Sequence, residues 1–382
     1  MTGDSPRSRP LKSGRSERTK STCDRSSKLT KKLKRGKNKK KDKKSSSRNQ
    51  LEDDGTQCDM SRKKIKTGKK KRRRDTMEGT PIGKQVLGDM NKASCTTGIQ
   101  GILAEFDEIK KQTQAIGGKP KIAFDIHADK NRYKDVYCVD ESRVILKWPI
   151  GMHDYIHANW VNVSEGRKYI CTQGPIATTI DDFWRMVWQE KCKSIIMLCN
   201  IIECGKKKCE QYWPDAPGLD MRCASLTIKC TAKDTFEKLI THSAISVSDG
   251  TESIEVQHFL WNNWPDRGVP NDHLTCWKLL SKIKTLSPTV IHCSAGIGRT
   301  GTIVGLDLAL SKIYAGDQQT TLKQVVMDLR KSRHGSVQMD IQYLYMHRVL
   351  IAFGIQRNAF KEQDAAEFCA AYEALCKQRG YL

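Results

Sequence analysis

Apolar residues recur at near-helical spacing through Ile99, Ile102, Leu103, Phe106 and Ile109, which predicts a helix over 97–113. A Thr-x-x-Asp start followed by Phe183, Trp184, Val187 and Trp188 on one side predicts a second over 179–192. The Ile-Ile-Met-Leu run inside 194–200 then reads as a buried strand. Partial alternation across 221–230, 244–247 and 253–261, interrupted by Asp-Gly or polar turns, predicts antiparallel strands. A helix over 273–284 and a short buried strand over 288–291 come next. Helices over 300–315, 321–333, 340–355 and 362–375 complete the pattern. Strands followed by several helices, with one buried strand among them, imply an α/β (α+β) domain: a central, highly twisted mixed sheet flanked by helices. No internal repeat interrupts it.

Before about residue 90 this patterning is missing, and composition explains why. Residues 1–80 hold 29 Lys+Arg against 10 Asp+Glu, whereas 81–382 hold 38 against 33, so most of the net charge of +24 sits in the first segment. No aromatic residue precedes Phe106. Such a segment buries too little apolar surface to offset chain entropy, and residues 1–90 are expected to be a disordered basic tail. Its two densest clusters are the lysine run from Lys31 to Lys44 and the stretch from Arg62 to Arg74. A solvated arm, an import-receptor signal, nucleic-acid contact and an anionic membrane surface all fit such clusters, and the absent aromatics argue only against base stacking. Serines beside the basic side chains, such as Ser8, Ser13 and Ser16, are candidates for phosphorylation that would weaken the attraction.

No N-terminal apolar core and no run of about 18 apolar residues occurs, so neither a signal peptide nor a membrane span is expected. The 15 cysteines are odd in number and scattered. They suit a reducing cytoplasmic or nuclear compartment better than a disulfide framework, and no zinc site or other cofactor is expected.

The most informative stretch runs from Ile291 to Gly301: Ile-His-Cys-Ser-Ala-Gly-Ile-Gly-Arg-Thr-Gly. It sits where a strand hands over to a helix N-terminus, a geometry that turns backbone N–H groups inward and adds the positive end of the helix dipole. A free thiol has a pKa of about 8.5, and donors of this kind together with Arg299 favour its thiolate. Gly296 and Gly298 allow positive dihedrals and close approach to an oxyanion, and the Arg299 guanidinium matches two oxygens of a phosphate. Cys293 is therefore expected to attack the phosphorus of a bound tetrahedral dianion. A Cys-x5-Arg spacing alone also arises in ordinary cores, but the small residues between its ends are poor core material.

That chemistry also needs an acid for the leaving oxygen. Trp264-Pro-Asp-Arg-Gly-Val-Pro270 places Asp266 on a loop stiffened by prolines and released by Gly268, which suits a closing gate. In isolation it would pass for an ordinary turn.

Together these segments resemble the protein tyrosine phosphatase family, in its non-receptor type of catalytic domain. The resemblance extends to Asn131-Arg-Tyr-Lys-Asp135, Asp154-Tyr-Ile-His-Ala-Asn159, Tyr169-Ile-Cys-Thr-Gln-Gly-Pro175, Lys208-Cys-Glu-Gln-Tyr-Trp-Pro214 and Gln338-Met-Asp-Ile-Gln-Tyr343, all in the family's order. His157 and the Cys-Gly-Lys-Lys-Lys-Cys stretch resemble the branch expanded in nematodes. The resemblance implies a catalytic domain over 95–356, a C-terminal helical extension over 357–382, and a monomer that hydrolyses phosphotyrosine in proteins without a metal.

It also implies roles. Cys293 forms a cysteinyl-phosphate while Arg299 and the backbone of Ser294, Ala295, Gly296, Ile297 and Gly298 hold the phosphate oxygens. Thr300 hydrogen-bonds the departing thiolate, and Asp266 protonates the tyrosine oxygen. Gln338, supported by Gln342, orients water. Tyr133 walls a slot deep enough to favour tyrosine, Asp135 accepts from the peptide backbone, and Glu203, Lys208, His292 and Trp264 support the site. Without that context Tyr133 would be a packing residue, Gln338 a helix cap and Glu203 a surface acid. Met339, Arg267 and His157 depart from commoner family residues and are expected to affect loop packing or peptide preference. The rival readings are a phosphotyrosine-binding module, a nucleic-acid-associated protein acting through its tail, and a dual-specificity phosphatase. The first would lack the nucleophile, acid or arginine, and the last tends to lack the Tyr133 slot.

Overall fold

The computed structural model describes residues 80–114 and 118–381. Residues 1–79 of the expected tail, with its two basic clusters and candidate phosphorylation sites, lie outside the described residues. A nine-stranded sheet forms the centre. One flank holds β1 (Arg143–Ile145), β2 (Tyr155–Ser164) and β3 (Arg167–Thr172). The middle holds β4 (Ser194–Met197) and β11 (Thr289–His292). The far flank holds β7 (Asp220–Cys223), β8 (Leu226–Phe236), β9 (Ile240–Ser248) and β10 (Ser253–Trp261). A separate two-stranded hairpin pairs β5 (Ile202–Glu203) with β6 (Lys206–Lys207).

In space the order is β1-β2-β3-β11-β4-β10-β9-β8-β7. Antiparallel ribbons flank four parallel central strands, β3, β11, β4 and β10. All four residues of β11, Thr-Val-Ile-His, are buried, as a strand covered on both faces must be. Its carboxyl end opens beside those of β3 and β4, the position at which open α/β sheets bind ligands.

The helices are α1 (Pro81–Gln114), α2 (Ile122–Ile126), α3 (Ile180–Gln189), α4 (Thr275–Ile283), α5 (Gly298–Ala315), α6 (Leu322–Ser332), α7 (Asp340–Gln356) and α8 (Glu362–Gln378). α1, α5, α6, α7 and α8 pack on one another, while α3 packs on β2 and β7. No helix among the described residues is long and apolar enough to cross a membrane.

Two expectations change here. The segment 221–230 is a hairpin rather than one strand, because Ala224 takes a left-handed φ of 52° and returns the chain so that Met221 pairs with Ile228. The boundary expected near residue 90 falls inside α1, which starts at Pro81 and buries Val86, Leu87, Asn91 and Ser94. Small and polar side chains mask this face. Gly83 sits against the Ile313 carbonyl of α5, where an added Cβ would lie at 2.9 Å, and the Asn91 amide donates to the Leu350 carbonyl at 3.1 Å. Gly98, at φ 66°, kinks the helix near the start predicted at 97.

Three of the histidines buried within this fold carry lowered pKa values. Burial, joined by Arg333 at His157 and by His292 at His258, pushes His157, His258 and His347 down to about 3. Above their ordinary pKa near 6.5 they are neutral in both folded and unfolded chains and cost nothing. Below it the unfolded chain takes up protons that the folded chain refuses, so stability falls as pH drops from 6.5 towards 3. By pH 5 each costs about 2 kcal/mol. Urea midpoints measured between pH 7 and pH 5 should therefore drop steeply. A flat profile would contradict the neutral burial of these rings.

Candidate active site

Between the end of β11 and the start of α5 the chain reverses within a five-residue turn, Cys293 to Ile297. Gly296 takes φ 70°, and an added Cβ would lie 2.0 Å from the Thr172 carbonyl oxygen, so no other residue fits. Four successive carbonyls are engaged away from the thiol. Ser294 O accepts from Gly174 N at 2.9 Å, Ala295 O and Gly296 O accept from Arg333 at 3.1 Å each, and Ile297 O accepts from Val337 N at 2.9 Å. Because C=O and N–H point oppositely across a trans peptide, the N–H groups of residues 295–298 turn towards the thiol. That of Gly296 donates to Cys293 Sγ at 3.3 Å.

Arg333 is the functional residue that sequence reasoning passed over. It closes the predicted helix 321–333, where a basic residue has an ordinary reason to stand. In the fold it is fully buried beneath the turn, and also donates to Asn159 Oδ1 at 2.8 Å and to His157 Nδ1 at 3.2 Å. His157 is a neutral acceptor there, and its other nitrogen donates to the Val136 carbonyl at 2.8 Å. The departure at His157 thus supports the cradle from below.

His292 is similarly fixed. Its Nδ1–H donates to the Cys293 carbonyl at 3.1 Å, and its Nε2 hydrogen-bonds the Tyr212 hydroxyl, which also bonds His258 Nε2, both at 2.8 Å. It holds backbone rather than carrying a proton to the thiol.

Arg299, in the first turn of α5, is 2% exposed and multiply tethered. Glu203 grips it bidentately at 2.7 and 2.6 Å, and the carbonyls of Leu198 and Trp264 accept at 2.7 and 3.1 Å. Burial alone would lower its pKa, but Glu203 and the neighbouring Cys293 raise it, and the guanidinium stays charged. The bland reading of Glu203 as a surface acid does not hold: its side chain is 8% exposed.

Asp266 enters the same slot. Its carboxylate pairs with Arg299 at 3.0 Å and with Lys208 Nζ at 2.5 Å. Burial by itself would raise this carboxyl, yet Lys208 and Arg299 outweigh it and hold the pKa below the ordinary carboxylate range. Without a bound anion Asp266 is therefore ionised at neutral pH and occupies part of Arg299. A phosphate arriving on Arg299 both displaces it and, by its own charge, favours its protonation. The loop carrying Asp266 is anchored by Trp264, whose indole donates to the Gly268 carbonyl at 2.9 Å and packs edge-on to Trp261.

The slot itself is lined by Tyr133, Asp135, Lys208, Asp266, Cys293, Arg299, Gln338 and Gln342, among others. Ser294 Oγ donates to the Lys208 carbonyl at 3.0 Å, so the Tyr133 hydroxyl must be the donor in its 2.8 Å bond to Ser294 Oγ, which fixes the ring as a wall. Gln338 and Gln342 approach Gly298 so closely that a Cβ there would lie 3.1 Å from Gln342 Oε1 and 3.3 Å from Gln338 Oε1. Thr300 is buried, and its hydroxyl oxygen has no hydrogen-bond partner among the described residues. Asp135 is exposed at the mouth. Two non-glycine residues in left-handed backbone flank the key side chains, Arg267 (φ 57°) after Asp266 and Val337 (φ 59°) before Gln338. For β-branched Val337 this is a strained conformation, held by its bonds to Ile297 and Arg330.

A buried thiol in a cradle of backbone N–H groups, an arginine beside it and a carboxylic acid on a facing loop define a cysteine-based phosphate-ester site. The family model for protein-tyrosine phosphatase matches residues 127–352, more than half of the chain, and the chain belongs to that family. It is 36% identical over 239 residues to human tyrosine-protein phosphatase non-receptor type 2, covering 60% of this chain and 57% of that protein. It is also 36% identical over 231 residues to human non-receptor type 12, covering 58% of this chain and 30% of that one. The chain therefore spans less than two thirds of the length of these curated relatives. Among solved structures, human non-receptor type 18 in complex with HER2-pY1248 phosphopeptides superposes with a TM-score of 0.62 at 31% identity, covering 66% of this chain and 99% of that one.

Proposed function

We propose that this chain hydrolyses phosphotyrosine in proteins through a cysteinyl-phosphate intermediate. The observation that carries the reading is the convergence of Cys293, Arg299, Asp266 and Tyr133 on one slot. The Cys293 thiolate attacks phosphorus. The S–P bond forms as the bond from phosphorus to the tyrosine oxygen breaks, and Asp266 gives its proton to that oxygen. Water held by Gln338, with Gln342 behind it, then attacks phosphorus and returns a proton to Asp266. The thiolate leaves with inorganic phosphate as the other product, and Thr300, whose hydroxyl is otherwise uncommitted, hydrogen-bonds it. Arg299 and the N–H groups of 295–298 hold the equatorial oxygens throughout. Tyr133 selects tyrosine by depth, since a phosphothreonine is too short to reach Cys293 past its ring, and Asp135 takes the peptide backbone at the mouth. The complex of the similar type 18 domain with phosphotyrosine peptides supports this substrate class.

The full chain should release phosphate from a phosphotyrosine peptide with chelator present, and at least about 100-fold more slowly from the matching phosphothreonine peptide. Comparable rates on the two would replace this reading with a dual-specificity enzyme. Binding without turnover would replace it with a phosphotyrosine-binding module. The basic tail supports an intracellular site of action, cytoplasmic or nuclear. There its lysine and arginine clusters would engage an import receptor, nucleic acid or an anionic membrane.

A further inference from the structure

The helix α8 lies beyond residues 127–352, the span of the family match, yet its C-terminus reaches both loops of the site. Its ending is a Schellman motif: Gly380 takes φ 75°, Gly380 N–H donates to the Lys377 carbonyl at 3.1 Å, and Tyr381 N–H donates to the Cys376 carbonyl at 2.9 Å. This closure fixes where Tyr381 points. Its ring lies on the acid loop, so close that a Cβ added to Gly268 would meet two of its ring carbons at 3.0 Å. Two residues earlier Arg379 pairs at 2.9 Å with Asp340, which follows Gln338 by two positions. About two turns further back the buried Tyr372 packs edge-on against His273 at 5.7 Å, at the far end of the acid loop. The next residue back along that loop, Asp272, accepts from the Leu274 and Thr275 N–H groups at the start of α4 at 2.7 Å and gives its carbonyl to Tyr345 at 2.7 Å. One helix end thus grips the acid loop in the state where Asp266 lies 3.0 Å from Arg299, and braces the loop that carries Gln338.

We infer that Tyr381, aimed by the Schellman ending of α8 and steadied by the Arg379–Asp340 pair, is a positioning residue that holds the acid loop closed so that Asp266 meets the leaving oxygen. This rests on the phosphatase reading above. Gly268 is the point at which the ring bears on the loop, and it has no side chain to resist opening by itself. The Tyr381 hydroxyl has no hydrogen-bond partner among the described residues, so the ring is the working part.

Asp266 serves both half-reactions, but kcat/KM reports only the first, in which a residue acting through the acid matters only when the leaving group needs a proton. In the full chain, Tyr381→Ala should lower kcat/KM on a phosphotyrosine peptide about tenfold. On dinitrophenyl phosphate, whose leaving group is far more acidic than tyrosine's phenol, kcat/KM should change less than about twofold. Tyr381→Phe keeps the ring and should restore the wild-type rate on the peptide. Equal losses on both substrates would reduce Tyr381 to a general stabiliser and overturn the inference, as would an undiminished peptide rate in Tyr381→Ala. A wild-type chain inactive on both substrates would instead overturn the phosphatase reading itself.

Discussion

Cys293→Ser is expected to lose at least about 10⁴-fold in phosphate release, because a serine hydroxyl in the same cradle is not ionised near neutral pH and no other group replaces the nucleophile. The change removes little volume at a site 4% exposed. The turn owes its shape to Arg333, Gly174 and Val337 rather than to the thiol, so the fold and the anion cradle should survive. The measurement pairs turnover of a phosphotyrosine peptide with its binding to the variant. Retained binding with no turnover is the expected outcome, and wild-type turnover would sink the assignment of Cys293 as nucleophile.

Asp266→Ala is the second large effect, with an opposite consequence for binding. Loss of the general acid should lower kcat by about 10²–10⁴-fold on phosphotyrosine. The same carboxylate, however, pairs with Arg299 at 3.0 Å in the empty slot and must be displaced by the phosphate. Removing it frees Arg299 and takes a negative charge away from the incoming dianion, so the dissociation constant should fall rather than rise. The pH dependence follows from the same groups. In the wild type kcat should decline as pH rises through the pKa of Asp266 in the complex, because the acid is then unprotonated, and that limb should vanish in the variant. Unchanged kcat, or binding weakened in step with turnover, would remove Asp266 from its proposed place.

Much of the site was legible because its chemistry is local. A thiol, two glycines and an arginine within seven residues dictate a tight turn on a helix N-terminus, whatever the rest of the chain does. Strand 253–261 and helices near 300–315, 340–355 and 362–375 were legible for a related reason, since their hydrophobic period matches one buried face or a wholly buried run. Periodicity failed where burial is achieved by residues that are not hydrophobic. The first turns of α1 hide behind Gly83, Asn91 and Ser94, each buried only because a backbone from α5 or α7, or a side chain from α7, approaches it. The reversal at Ala224 carries neither glycine nor proline and so left no mark.

By itself, then, the sequence determined the chemistry present in this protein: a cysteine nucleophile candidate, its arginine, an acid on a proline-bounded loop and a glutamine pair, arranged in the order of one family. Only the tertiary structure decided how these are held. Arg333 under the turn, the bidentate grip of Glu203 on Arg299, the pairing of Asp266 with Arg299 and Lys208, and the ring of Tyr381 on Gly268 join residues 30 to over 100 positions apart. Spacing along a chain governs dihedrals and short turns, but contacts across such separations are set by strand order and helix packing, which no local pattern encodes.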